Sequence, residues 1–356
     1  MKGNAKVRNS KIELLRIIAM LFIILSHSSV HGMLAGNQSE LVMNTIALKW
    51  CILGNLGVDI YILISGYFLC EKKDSWKSMG RLLGQVWFYS ILGLGIYTYA
   101  CEHWGEQMSL TDIIYACFPT VCIEYWFFTV YIILLLLVPF INIALNHITQ
   151  KQFQALIAIM LVWWSIIPSV TTWNMYGNEV LQFIMLYCIG AYFRKNPVNV
   201  FSKGVVRHLV TILSWAALLA VPVVVMKYGE MVPTIRNYEL LLYGRNSIIV
   251  IGIAVGMFAI AAYSKPYASK FINIVGGCTF GVYLLHDNPL IRRIIWKIGF
   301  PNYEYLNSYT LIPRMLASVV IIFVIGVIVD YLRKIIFEKP MTKMGDFFVR
   351  IIHLKF

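Results

Sequence analysis

The chain has 356 residues, of which 59% are hydrophobic and only 13% charged, with a mean hydropathy of +0.72 and a formal charge of +13. Soluble domains carry about 25% charged residues, so a water-soluble fold has too little interior for this much apolar side chain; disorder, collagen and a disulfide-rich scaffold fall with it. The cations sit in short clusters between apolar runs, which argues against a nucleic-acid partner and for loops flanking membrane spans.

A spanning helix needs about 20 mostly apolar residues. That template gives about ten stretches, roughly 12–32, 50–70, 82–101, 126–145, 153–171, 180–193, 206–226, 246–263, 271–287 and 311–332. The first is not followed by a small-residue cleavage site and reads as a retained helix. It holds Glu13, Arg16 and His27. His27 lies about 16 Å beyond Arg16 at 1.5 Å per residue, too deep for an interface anchor. A catalytic or relay histidine competes there with a packed one, and Arg16 with a snorkelling anchor.

The second stretch carries Asp59, then Ser65-Gly66. It runs back across the bilayer, so Asp59 should return to within one or two turns of the depth of His27. A carboxylate there could orient the imidazole, as the third member of a nucleophile–base–orienter set does; the competing role is a local backbone bond. Ser65-Gly66 reads as a site of close helix approach. Arg81 opens the third stretch near Lys72, a cluster that either sets topology or grips phosphates. Residues 108–123, with Asp112 and Pro119, read as an interfacial or re-entrant segment.

Tyr125 and Trp126 open the fourth stretch, either as an aromatic belt or as substrate contacts. The ninth ends in His286-Asp287-Asn288-Pro289, followed by Arg292 and Arg293, which form either a polar pocket or a solvated turn. After the tenth, residues 337–356 alternate basic and apolar side chains and read as an amphipathic tail on the membrane, so the chain divides into a membrane domain, 1–336, and a tail, 337–356. The seven cysteines form no CxxC pair, so no metal or redox site is expected; a disulfide among Cys101, Cys117 and Cys122 stays open. With the N-terminus inside and ten crossings, 22 of the 30 Lys and Arg fall on the cytoplasmic side, in clusters such as Lys2 to Arg16 and Lys72 to Arg81, while Glu40 and Glu102 to Glu124 lie outside. Both termini are therefore expected in the cytoplasm. The fold class is all-α, a polytopic helical bundle.

Arg16 and His27, separated by ten residues within a run that begins Ile12-Glu13-Leu14-Leu15, form an element that resembles the first-helix signature of the type-three membrane acyltransferases. Gly57-Val58-Asp59 with Ile64-Ser65-Gly66-Tyr67 is similar to that family's second-helix motif, and Tyr125-Trp126-Phe127-Phe128 and Gly281-Val282-Tyr283-Leu284-Leu285-His286 resemble its later blocks. The resemblance covers nearly the whole chain. It implies transfer of an acyl group, usually acetyl, from cytoplasmic acyl-CoA to a hydroxyl of a cell-surface polysaccharide or lipid-linked glycan in a bacterial plasma membrane. His27 then corresponds to the catalytic histidine and Arg16 to the donor-side arginine. Some family members carry an extracytoplasmic hydrolase-like domain; none is expected here, so either the membrane unit acylates its acceptor directly or a separate transferase does.

The chemistry fits the layout. Polyanionic coenzyme A would stay with Arg16 and Arg81 while its extended arm carries the thioester towards His27. Histidine, with an unperturbed pKa near 6.5, suits a general base for a hydroxyl, with Asp59 as its partner and Tyr125, Trp126, His286 and Asp287 around the acceptor. A proton-coupled glycan exporter would use similar intramembrane groups, but the paired repeats common in transporters are not evident.

Overall fold

The computed structural model describes residues 9–32, 42–72, 76–171, 179–229, 231–232 and 242–351. Glu40, Lys73 and the basic residues 2–8 lie outside the described residues. Helices make up the described regular structure: α1 (Ser10–Val30), α2 (Val42–Trp50), α3 (Gly54–Leu69), α4 (Trp76–Trp104), α5 (Leu110–Cys117), α6 (Trp126–Asn146), α7 (Gln150–Leu161), α8 (Ile167–Val170), α9 (Glu179–Lys195), α10 (Gly204–Tyr228), α11 (Ile248–Tyr263), α12 (Lys270–His286), α13 (Pro289–Ile294) and α14 (Leu311–Ile351). A helix lies over each of the ten apolar stretches. By length and composition, six candidate spans among the described residues can cross a membrane: Ser10–Val30, Ile46–Leu69, Trp126–Asn146, Gln150–Val170, Gly204–Tyr228 and Leu311–Pro340. Their outward faces stay apolar, with Phe140, Ile143, Ile212 and Ile328 exposed, as lipid requires and water would not tolerate.

The site is built on the contact of α1 with α3 and α12. Asn9 caps α1 by accepting the Lys11 N–H, and Ser269 caps α12 by accepting from Ile272. The two starts are tied together, because the Ser10 hydroxyl accepts the Ser269 N–H at 2.7 Å and meets Asn273 Oδ1 at 2.8 Å. Both helices therefore begin at one level and run parallel. Gly276 allows their approach: a Cβ there would lie 2.7 Å from Glu13 Oε2 and 3.0 Å from its carbonyl oxygen. The α1–α3 contact is set in the same way by Gly57, whose Cβ would lie 2.4 Å from the Ala19 carbonyl oxygen.

Two helix limits bear on the expected elements. The second stretch is interrupted at Cys51–Leu53, so α2 and α3 are separate helices. The chain does not begin a new element at Phe337. α14 continues to Ile351 with Pro340 inside it, so the 336/337 boundary falls within a helix whose Arg333 and Glu338 side chains pair at 2.9 Å across that point. Residues 352–356 lie outside the described residues. The segment 108–123 contains α5, held on α4 by the Trp87 indole N–H donating to Cys117 O and the Ser90 hydroxyl donating to Ala116 O, both at 2.9 Å. All seven cysteines are free thiols, Cys101, Cys117 and Cys122 among them.

Candidate active site

Because α1 and α12 start level and run parallel, equal distances along them stay level. Ser10 and Ser269 are 259 positions apart in the chain, and so are His27 and His286, whose rings meet with Nδ1 of His27 3.1 Å from Nε2 of His286. His286 Nδ1 lies 2.7 Å from the Val282 carbonyl oxygen. A carbonyl only accepts, so His286 Nδ1 carries a proton. With both rings neutral, His286 Nε2 is an acceptor, and His27 Nδ1 must donate to it. His27 Nε2 is then left as the basic nitrogen, fixed by a hydrogen bond on the far side of the ring.

Around this pair, Asp287 Oδ1 lies 3.6 Å from His27 Nδ1 and 3.2 Å from Arg292 Nη1. His31, one turn beyond His27, sets its ring edge-on to His27 with centroids 5.0 Å apart. His27, His31, Asp287 and Arg292 line a cavity of about 340 Å³, walled also by Trp126 and by Arg245, whose guanidinium lies 3.9 Å over the Trp126 ring.

A second cavity of about 310 Å³ lies towards the start of α1 and is lined by Arg16, Lys72 and Arg81, with Ser65 and Tyr131 hydrogen-bonded to each other at 3.1 Å. Arg16 also bonds Glu13 at 2.9 Å, and Arg81 lies 3.8 Å from Glu338. Tyr61, Phe127 and Phe280 belong to the walls of both cavities. The Tyr61 hydroxyl donates to the Arg16 carbonyl oxygen at 2.9 Å, which holds this neck to α1. One space therefore carries three cations, the adjoining one carries His27, and a few aromatic rings separate them.

The expected residues divide accordingly. Arg16, Arg81, His27, Trp126 and Asp287 line the two cavities. Asp59 does not partner His27: it is fully buried, and its Oδ1 accepts from Gln182 on α9 at 3.0 Å. Gly57 faces α1, and each residue turns the helix by about 100°, so Asp59 points about 200° away from that contact while Tyr61 comes back to it. Tyr125 is buried against α12 rather than exposed to an acceptor, donating to Leu284 O at 3.1 Å and accepting from Asn288 at 2.8 Å. His286 is buried behind His27 as its hydrogen-bond partner and is not on the cavity wall. Arg245 and Tyr61 were not anticipated. Neither stands out in its local pattern, because an arginine just before an apolar stretch and a tyrosine within one are both common.

The site is thus a cationic cavity joined through an aromatic neck to a cavity that holds a fixed imidazole, inside a helical membrane bundle. The chain belongs to the acyltransferase 3 family, whose acyltransferase-domain model matches residues 9–331. No curated protein and no solved structure shows a significant match to the chain.

Proposed function

We propose that the protein is an O-acyltransferase of the bacterial plasma membrane that moves an acyl group, acetyl above all, from cytoplasmic acyl-CoA to a hydroxyl of a cell-surface polysaccharide or lipid-linked glycan. The observation that carries this reading is the joining of the Arg16–Lys72–Arg81 cavity to the His27 cavity at Tyr61, Phe127 and Phe280. Coenzyme A phosphates suit the three cations, since charge-assisted bonds to guanidinium are strong and phosphate cannot enter an apolar neck unpaired. The acyl arm is thin and mostly uncharged, as the neck requires.

In this reading His27 Nε2 takes the proton of the acceptor hydroxyl as its oxygen attacks the thioester carbonyl carbon. Collapse of the tetrahedral intermediate breaks the C–S bond, and the departing thiolate recovers the proton from Nε2. His286 holds the ring through Nδ1, and the Asp287 carboxylate offsets the transient imidazolium charge. General-base catalysis of this kind contributes about 10²–10⁴-fold. The orientation that fits the charge count has ten crossings with both termini and the Arg16 cavity on the cytoplasmic side.

Two experiments test the reading. Purified full-length protein is incubated with labelled acetyl-CoA and a membrane glycan fraction, with thiol release and label transfer as readouts; an exporter would release no thiol, and that result would overturn the proposal. Reporters fused after Cys70 and at Gln107 should read cytoplasmic and external respectively. The reverse pattern would put the cations on the face that acyl-CoA never meets.

A further inference from the structure

Beside its role as a base, His27 is one corner of a second arrangement. His27 and His31 are spaced i and i+4, the spacing at which two histidines on one helical face grip a single metal ion. The α1 turn persists through His31, whose N–H donates to the His27 carbonyl oxygen at 2.8 Å. Asp287, from the end of α12, brings a carboxylate to the same point, and one ligating atom from each of the three residues lies within 4.8 Å of the others. Zinc–nitrogen bonds of about 2.0–2.1 Å place tetrahedral ligands about 3.4 Å apart. His27 Nδ1 and Asp287 Oδ1 are at 3.6 Å already.

We infer that His27, His31 and Asp287 form a binding site for a divalent transition ion, zinc above all, and that the ion switches off acyl transfer. Two imidazoles and one carboxylate suit zinc, cobalt or copper, whereas magnesium and calcium prefer all-oxygen shells. Three protein ligands leave a fourth coordination position, and the 340 Å³ cavity that all three residues line has room for water or an acceptor hydroxyl there. Inhibition follows from proton bookkeeping. If the metal takes His27 Nε2, the lone pair is lost directly. If it takes Nδ1, the bond to His286 breaks and the ring's remaining proton must sit on Nε2. Either way no base faces the acceptor.

Arg292 supplies a signed test. Its guanidinium holds the same Asp287 oxygen at 3.2 Å, and its side chain is one-third exposed, so it can swing away. Metal and Arg292 therefore compete for the carboxylate, and removing the arginine should favour the metal. This is the reverse of what damage to a pocket would do.

The inhibitory half of this inference rests on His27 acting as the base; the binding half does not. Chelator-treated full-length protein is titrated with zinc by calorimetry, and acetyl transfer is followed over the same titration, with each variant compared only with itself. Wild type should bind one zinc per chain and lose at least about tenfold of its transfer as the site fills. His31→Gln should weaken binding and raise the zinc needed for half-inhibition together, by more than about tenfold, in line with the 10–100-fold cost of disturbing even outer-shell groups. Arg292→Gln should shift both in the opposite direction, and magnesium should have no effect. Equal zinc binding by wild type and His31→Gln would overturn the site, and binding without inhibition would overturn the switch. A chain that transfers no acyl group would remove the enzymatic reading, while the calorimetric comparison would still decide the site.

Discussion

At His27 the deciding question is which ring nitrogen carries the proton, and the answer comes from Val282, whose carbonyl fixes the His286 tautomer and through it that of His27. His27→Asn keeps a polar side chain of similar size but cannot accept a proton, so transfer should fall by about 10²–10⁴-fold with acyl-CoA binding unchanged. Transfer at the wild-type rate in a well-expressed His27→Asn protein would return His27 to a packing role. The carboxylate that matters should be Asp287 and not Asp59. Asp287→Asn should lower kcat by more than Asp59→Asn does. The amide oxygen introduced by Asp59→Asn could still accept from Gln182, whereas Asp287 sits beside both His27 and Arg292. The reverse order in a steady-state comparison would restore Asp59 as the orienting group. The sequence misplaced Asp59 for a definite reason. Apolar length sets depth along a helix, and at that resolution Asp59 and Asp287 are equivalent. What separates them is rotation about the axis, which depends on Gly57 meeting Ala19, a contact with no signature beyond one glycine among many.

Helix pairs show where small residues do structural work. α3 and α9 cross through two glycines: a Cβ at Gly66 would lie 2.2 Å from the Tyr187 carbonyl oxygen, and one at Gly190 would lie 2.2 Å from that of Leu63. Backbone cannot move aside as a side chain can, so Gly66→Ala or Gly190→Ala should each cost about 1–3 kcal/mol through overpacking. Gly95 meets nothing within 4 Å, and Gly95→Ala should be neutral or mildly stabilising because alanine favours helix. Thermal unfolding in detergent checks this, and equal midpoints for Gly66→Ala and Gly95→Ala would refute the crossing. The Ser65-Gly66 pair was legible as a close-approach site; its partner, Gly190, was not, since nothing local says which helix a glycine will meet. Outside the spans, Glu106 accepts from Lys297 at 2.5 Å, and Asp112 pairs with Arg293 at 3.0 Å, tying the α4–α5 connection to the α13 end. The Lys297 bond holds Glu106 below the usual carboxylate range. Burial would raise Asp112, but the Ser109 N–H and hydroxyl and Arg293 outweigh it and hold that carboxyl low as well. A carboxylate lowered in the folded state stabilises above its unfolded pKa and loses that contribution as pH falls through the folded value. Wild type should therefore lose thermal stability on acidification below about pH 4.5 more steeply than Glu106→Gln. Parallel pH profiles would show the tie to be inert.

Across the whole molecule, two spaces at opposite ends of α1 are joined by three rings, and the distance between their charged and reactive groups follows from helix geometry. Arg16 and His27 are separated by about 16 Å of helix, far enough that one group can hold phosphates while the other meets a thioester at the end of an extended arm. Helix rise along the first apolar stretch made this depth relation legible. The neck was not legible, because Tyr61, Phe127 and Phe280 come from three helices and each looks like ordinary lining of an apolar core. If the neck is the route of the acyl arm, binding and turnover should separate there. Phe280 faces Phe128 and Tyr283, at ring-centroid distances of 5.9 and 6.1 Å, so a larger ring on the neck wall would crowd the neck or press on that packed cluster. Phe280→Trp should then lower transfer at least about tenfold while acyl-CoA affinity, which in the proposed reading depends on Arg16 and Arg81, stays within a factor of about two. If Arg16 holds a donor phosphate, Arg16→Ala should show the opposite division, a weaker donor Kd, and Arg16→Lys should recover only part of it because an ammonium lacks the two-pronged geometry. Donor binding by calorimetry and transfer by label counting separate the two effects. A Phe280→Trp variant that keeps wild-type turnover, or that loses donor binding and turnover to the same extent, would show that the acyl group does not pass between these rings.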